Sequence, residues 1–110
     1  MDDEFVDELR AQFCQDTFDL IDKIEAVVLK IEKEFSTSGM EELKRHLHCL
    51  KGNARAVGFD KMSATTHNLE SSCTNTFEPT LINNLLETCD EFRSLIKNYL
   101  ETQDDSKLAG

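Results

Sequence analysis

Residues 38–58 read SGMEELKRHLHCLKGNARAVG, and this stretch decides how the rest of the chain is parsed. Leu43, Leu47, Leu50, Ala54 and Val57 recur at steps of three or four. On a helical wheel of about 100° per residue they fall within about 80° of one another, which makes one apolar face of an α-helix. Ser38 followed by Glu41 is an S-x-x-E pattern, a capping box in which each side chain satisfies a backbone donor that a first helical turn leaves free. At the far end, Gly58 suits the left-handed conformation that closes a helix. The charges are just as ordered. None of the 22 acids of the chain lies between Leu43 and Phe59, whereas Lys44, Arg45, Lys51 and Arg55 do.

Working outward, the chain has one proline and four glycines, too little punctuation for a protein of many short strands. The breaks fall at 36–39, at 58–60 and at 73–79. They separate four segments of helical period. The first, from about Asp3 to Phe35, carries Val6, Leu9, Phe13, Leu20, Ile24, Val27, Ile31 and Phe35 on one face. Its length, nearly 50 Å at about 1.5 Å per residue, predicts an overhang beyond the other helices or a break near Asp16-Thr17. The third opens after Asp60 as a cap, with Met62, Thr66, Leu69 and Cys73 in line. The fourth begins at Pro79, a residue suited to a first helical position, and buries Leu81, Ile82, Leu85, Cys89, Phe92, Ile96 and Tyr99. These segments predict an all-α, antiparallel up-down-up-down four-helix bundle over residues 1–101. The polar stretch 102–110 is expected to be a disordered or frayed tail.

Leu, Ile, Val and Phe together exceed the roughly one-fifth share below which a charged chain stays disordered, so 110 residues should fold as one domain. A net charge of −10 argues against a general nucleic-acid or anionic-membrane surface. No apolar run approaches the roughly 18 residues of a membrane span, and Met1-Asp2-Asp3-Glu4 is the opposite of a basic signal start. A cytoplasmic location is expected. The four cysteines (Cys14, Cys49, Cys73, Cys89) form no C-x-x-C pair and are read as free thiols.

On the wheel, Lys51, Lys44, Arg55 and His48 follow one another along the solvent edge of the apolar stripe, with Gly52 about 180° from Leu43. A mid-helix glycine costs about 1 kcal/mol relative to alanine. Because Gly52 points away from the core, its missing side chain is read as room for another protein's surface rather than as close helix packing. Metal binding fails on geometry: His46 and His48, at i and i+2, point about 200° apart, and His46 is read as a packing residue. Cys49 and His48, adjacent on a helix, cannot form a nucleophile–base dyad. No G-x-x-x-x-G-K-[ST] phosphate loop is present.

His48-Cys49-Leu50-Lys51-Gly52, followed by Gly58, resembles the H-x-[LI]-K-G-x5-G phosphoacceptor motif of histidine-containing phosphotransfer (HPt) domains. His67-Asn68-Leu69-Glu70 is similar to the H-x-x-E element of the N-terminal domain of CheA-type chemotaxis kinases. The resemblance extends over residues 3–101, with motif residues in the central third. It implies that His48 accepts a phosphoryl group from a histidine-kinase catalytic domain and yields it to an aspartate of a response-regulator receiver. Glu70 would orient His48, with His67 as a secondary polar neighbour and Lys51 screening the phosphoryl charge. Gly52, Lys44 and Arg55 would serve docking. ATP and Mg²⁺ would come from the partner domains, and the chain would hold no cofactor or metal of its own. A competing reading, a helical adaptor or decoy docking on a kinase or receiver without being phosphorylated, leaves His48, Lys51 and Glu70 together without a purpose.

Overall fold

A computed structural model of the chain describes residues 3–74 and 76–110. Among the described residues there are five helices: α1 (Asp3–Lys33), α2 (Thr37–Ala56), α3 (Asp60–Ser72), α4 (Pro79–Thr102) and α5 (Ser106–Ala109). There is no strand among the described residues. α1 packs against α2 and α4, and α2 packs against α3, so the first four helices form the expected antiparallel bundle. α3 leans mainly on α2 and α5 and only lightly on α4.

α1 does not break. Thr17 is buried within a continuous helix of 31 residues, which at about 1.5 Å per residue matches the 46 Å long axis of the molecule. Its first turns overhang, leaving Phe5 and Leu9 exposed. Further along, the buried face carries Cys14, Thr17, Ile21, Ile24, Val28 and Ile31, while Leu20 sits at its margin. The helix ends at Lys33, and Phe35 turns onto Phe77 with ring centroids 6.4 Å apart, edge to face.

α2 starts earlier than the capping box implied. Ser36, in extended conformation, is the cap, and its Oγ accepts from the Gly39 N–H at 3.0 Å. Gly39 is needed there, because a Cβ would lie 2.9 Å from Ser36 Oγ and 3.1 Å from Ile31 Cγ1. Leu43, Leu47, Leu50 and Ala54 are all buried. Gly58 closes the helix at φ +82°, as its position predicts. Asp60 is not the cap of α3. Phe59 holds that place without a side-chain bond, and Asp60 instead adds negative charge to the first turn, where the helix dipole favours it.

The predicted core line of α4 is buried throughout, from Leu81 to Tyr99. Phe59 lies between Phe13 (5.4 Å) and Tyr99 (5.3 Å) in two edge-to-face contacts, and the Arg10 guanidinium stacks 4.9 Å above it.

Residues 102–110 correct the reading of a frayed tail. Thr102 is the last residue of α4, and Gln103 reverses the chain in the left-handed conformation. The Asp104 carboxylate then accepts from the Ser106 N–H, and α5 buries Leu108 to 1% exposure. Arg10 bonds Asp105 at 2.8 Å and the Val57 carbonyl at 2.8 Å, tying this end to α1 and to the α2–α3 turn.

All four cysteines are free, with Cys14, Cys73 and Cys89 buried and Cys49 exposed. Burial pushes the Cys14 and Cys89 thiols up to about 11.

Candidate functional site

The tight turn at Gly58 lays α3 antiparallel along α2, so residues about three turns back on α2 face residues about three turns forward on α3. His48 stands on α2 with 73% of its side chain exposed, and its Nδ1 lies 3.0 Å from Glu70 Oε2 on α3. The other oxygen of the same carboxylate accepts from Lys51 Nζ at 2.7 Å. Glu70 is only 18% exposed. Its pKa is held below the ordinary 4.5, first by the Lys51 hydrogen bond and then, against some opposing desolvation, by the Lys51 charge and by His48. At neutral pH it is therefore an ionised acceptor with nothing to donate, so the proton in the His48 contact belongs to Nδ1. In the neutral ring this leaves the lone pair on Nε2, which no hydrogen bond engages among the described residues.

The remaining candidates occupy distinct places. Lys44 is half-buried beside Cys73, where its charge partly offsets the rise that burial imposes on that thiol. Lys51, Gly52, Arg55, Asp60, Ser63, Ala64 and His67 line an open groove of about 630 Å³ between α2 and α3. His67 thus stands on the groove wall, one turn from Glu70, with no hydrogen bond into the Glu70 network. A Cβ on Gly52 would meet nothing within 4 Å, which removes close helix packing as the reason for that glycine. His46 is half-buried beside Glu42 at 3.7 Å, on a different face from His48. Among the described residues no three His, Cys, Asp or Glu side chains come together to hold a metal, and no helix is long and apolar enough to cross a membrane.

Two features escaped the sequence reading. Lys51 is engaged by Glu70 rather than free beside His48. Ser63, buried on α3, donates from Oγ to the Lys51 carbonyl at 3.0 Å and so bonds α3 directly to the α2 backbone. Its spacing of seven from Glu70, two turns along the same face, was the available signal.

A sequence model of the Hpt domain matches residues 8–106, nearly the whole bundle and the turn into α5. The chain belongs to the Hpt domain family. As an Hpt domain it is a module for histidine phosphotransfer in two-component signalling, a system in which such domains deal with kinases and receivers. It is also similar to a gliding motility regulatory protein of Myxococcus xanthus, with 36% identity over 62 residues that cover 56% of the Hpt chain. Those residues span 8% of the relative's length, so the likeness is to a small part of a much larger regulator. No solved structure matches the chain.

Proposed function

We propose that His48 is the phosphoacceptor of this Hpt domain. The observation that carries the reading is the 3.0 Å contact between Nδ1 and the ionised Glu70, made by a ring that is otherwise open to solvent. A proton held on Nδ1 keeps the Nε2 lone pair available and makes that nitrogen the stronger nucleophile. Nε2 would attack the phosphorus of the donor, forming an N–P bond while the donor's leaving oxygen departs with the electrons of its bond. In the second step a carboxylate oxygen of the receiver's aspartate attacks the same phosphorus, and the N–P electron pair returns to Nε2.

Glu70 sets the tautomer and then stabilises positive charge on the phosphorylated ring. Lys51 neutralises Glu70 in the resting state, and from the same place it can screen the incoming phosphoryl group. His67 offers a second polar side chain at the groove. Gly52 leaves room for a partner surface, and Lys44 and Arg55 steer an acidic receiver toward an acid-free, basic stretch of a chain at −10. The phosphoryl group comes from the ATP-binding domain of a histidine kinase and goes to a response-regulator receiver. ATP and Mg²⁺ belong to those partners. The His67–Glu70 element supports a role like that of the N-terminal domain of a CheA-type kinase, and a cytoplasmic setting follows from such partners.

The test is incubation with a CheA-type catalytic fragment and Mg-ATP, followed by assay for acid-labile, base-stable phosphate. Label on the chain that is lost in His48→Gln supports the reading. Label that survives in His48→Gln moves the site elsewhere, and no label with any cognate kinase favours a non-phosphorylated adaptor.

A further inference from the structure

Glu70 works on His48 only while α3 lies in the right place against α2, and α3 is the shortest helix of the bundle proper. On its α2 side it is held by the Ser63 bond to the Lys51 carbonyl and by the Lys51–Glu70–His48 contacts. Its seam with α4 is slight, and an open polar groove of about 360 Å³ runs between the two, lined by residues such as Asn68, Ser72, Glu87 and Glu91. The support that a fourth helix would normally give therefore comes from somewhere else. α5 supplies it: α3 is the helix this short segment packs on, and Leu108 is its buried side chain.

The segment is built to stay there. Gln103 turns the chain back in the left-handed conformation, Asp104 accepts from Ser106, and Leu108 and Ala109 both bond the Asp105 carbonyl at 2.9 and 2.7 Å. Arg10 then fastens Asp105 to α1 and to the Val57 carbonyl, at the turn from which α3 departs. We propose that Leu108 is a positioning residue for the phosphotransfer site, seating α3 through α5 so that Glu70 meets His48 Nδ1. The inference rests on the reading that this pair does the chemistry. It adds that the pair's geometry depends on a residue 38 positions beyond Glu70 in the chain.

The mechanism is positional. Removing most of a buried leucine leaves a void into which neighbours relax only partly. With α3 lightly held on its α4 side, that relaxation moves α3, and a hydrogen bond of 3.0 Å weakens steeply with small displacements. A weaker Nδ1–H bond releases the ring to its other tautomer.

The test uses the intact chain and ¹⁵N spectra of the His48 ring at a pH where the ring is neutral. Wild type should show separate shifts for a protonated Nδ1 and an unprotonated Nε2. In Leu108→Ala the two should converge, reflecting a fall of about fivefold or more in the ratio of the Nδ1–H to the Nε2–H form. Leu108→Met should restore the separation. Val28→Ala, a comparable truncation on α1, which packs on α2 and α4, should lower the melting temperature and leave the ring shifts alone. If Leu108→Ala proves unfolded, Leu108→Val takes its place with a smaller shift in the same direction.

Ring shifts unchanged in a folded Leu108 variant would overturn the proposal, as would equal changes in Val28→Ala. Phosphorylation of the wild-type chain is measured separately. Failure of that arm would remove the phosphoacceptor reading while the spectra still judged whether Leu108 holds the pair together.

Discussion

Glu70 divides its two oxygens between an imidazole and an ammonium, and each bond sets a different property. The Lys51 bond keeps the carboxyl ionised, and the His48 bond uses that charge to fix the ring's proton. Because the pKa of Glu70 is lowered on folding, its contribution to stability is fully present above its unfolded value near 4.5. The contribution is lost as pH falls through the lower, folded value. The stability difference between wild type and Glu70→Gln, measured by urea unfolding, should thus be constant from pH 6 upward and shrink below about pH 4.5. A gap that stays constant to pH 3 would contradict it. At pH 7 the same variant should be phosphorylated about tenfold or more slowly, since an amide can donate to Nδ1 and favour the wrong tautomer. Gly52 makes the complementary case. With open space around it, Gly52→Ala should raise stability by about 1 kcal/mol, read as a higher melting temperature. Gly52→Gln should still fold yet slow transfer to a receiver; an unchanged transfer rate would show that no partner surface comes close at that point.

At the scale of elements, legibility followed the length and regularity of the apolar stripe. α2 and α4 could be read almost residue by residue, because their buried positions repeat with helical period and most of the others are polar. The contact between His48 and Glu70 was expected as well, though from two separate motif elements, one on α2 and one on α3, rather than from helical period. What escaped depends on distant parts of the chain. Ser36 outcompetes Ser38 as the cap because Gly39 must lie against Ile31, a contact with a different helix. Lys51 was expected to screen the phosphoryl charge, and only the placement of α3 reveals its bond to Glu70. α5 is too short to form on its own, since a single helical turn does not recover the cost of nucleation. It exists through Leu108 and through an Arg10–Asp105 bond spanning 95 residues. The α1–α2 corner yields its own prediction. Gly39→Ala should cost about 1–3 kcal/mol in chemical unfolding, because neither Ile31 nor the capping Ser36 can withdraw freely. Ser36→Ala should cost about 1 kcal/mol through the lost cap.

For the molecule as a whole, a charge of −10 must be accommodated on a slender bundle. Arg93 on α4 answers part of it, reaching Asp22 and Glu25 on α1 at 2.7 Å each and Asp90 at 3.3 Å. Glu25 and Asp22 push its own pKa further up, so it stays charged at any working pH. Arg93→Met should lower stability by about 1–2 kcal/mol at low ionic strength and by less in about 1 M salt, where the orphaned acids are screened. A loss independent of salt would assign Arg93 a packing role instead.

The unequal exposure of the four thiols gives the experimenter a handle. A maleimide dye at neutral pH should couple once per native chain, at Cys49, and four times in denaturant, because the other three are shut inside with reactivity suppressed. The dye would sit one residue from the imidazole, at the margin of the face proposed above for receiver docking. Its fluorescence would then time each arrival and departure directly, without radioactivity and without altering any side chain of the relay.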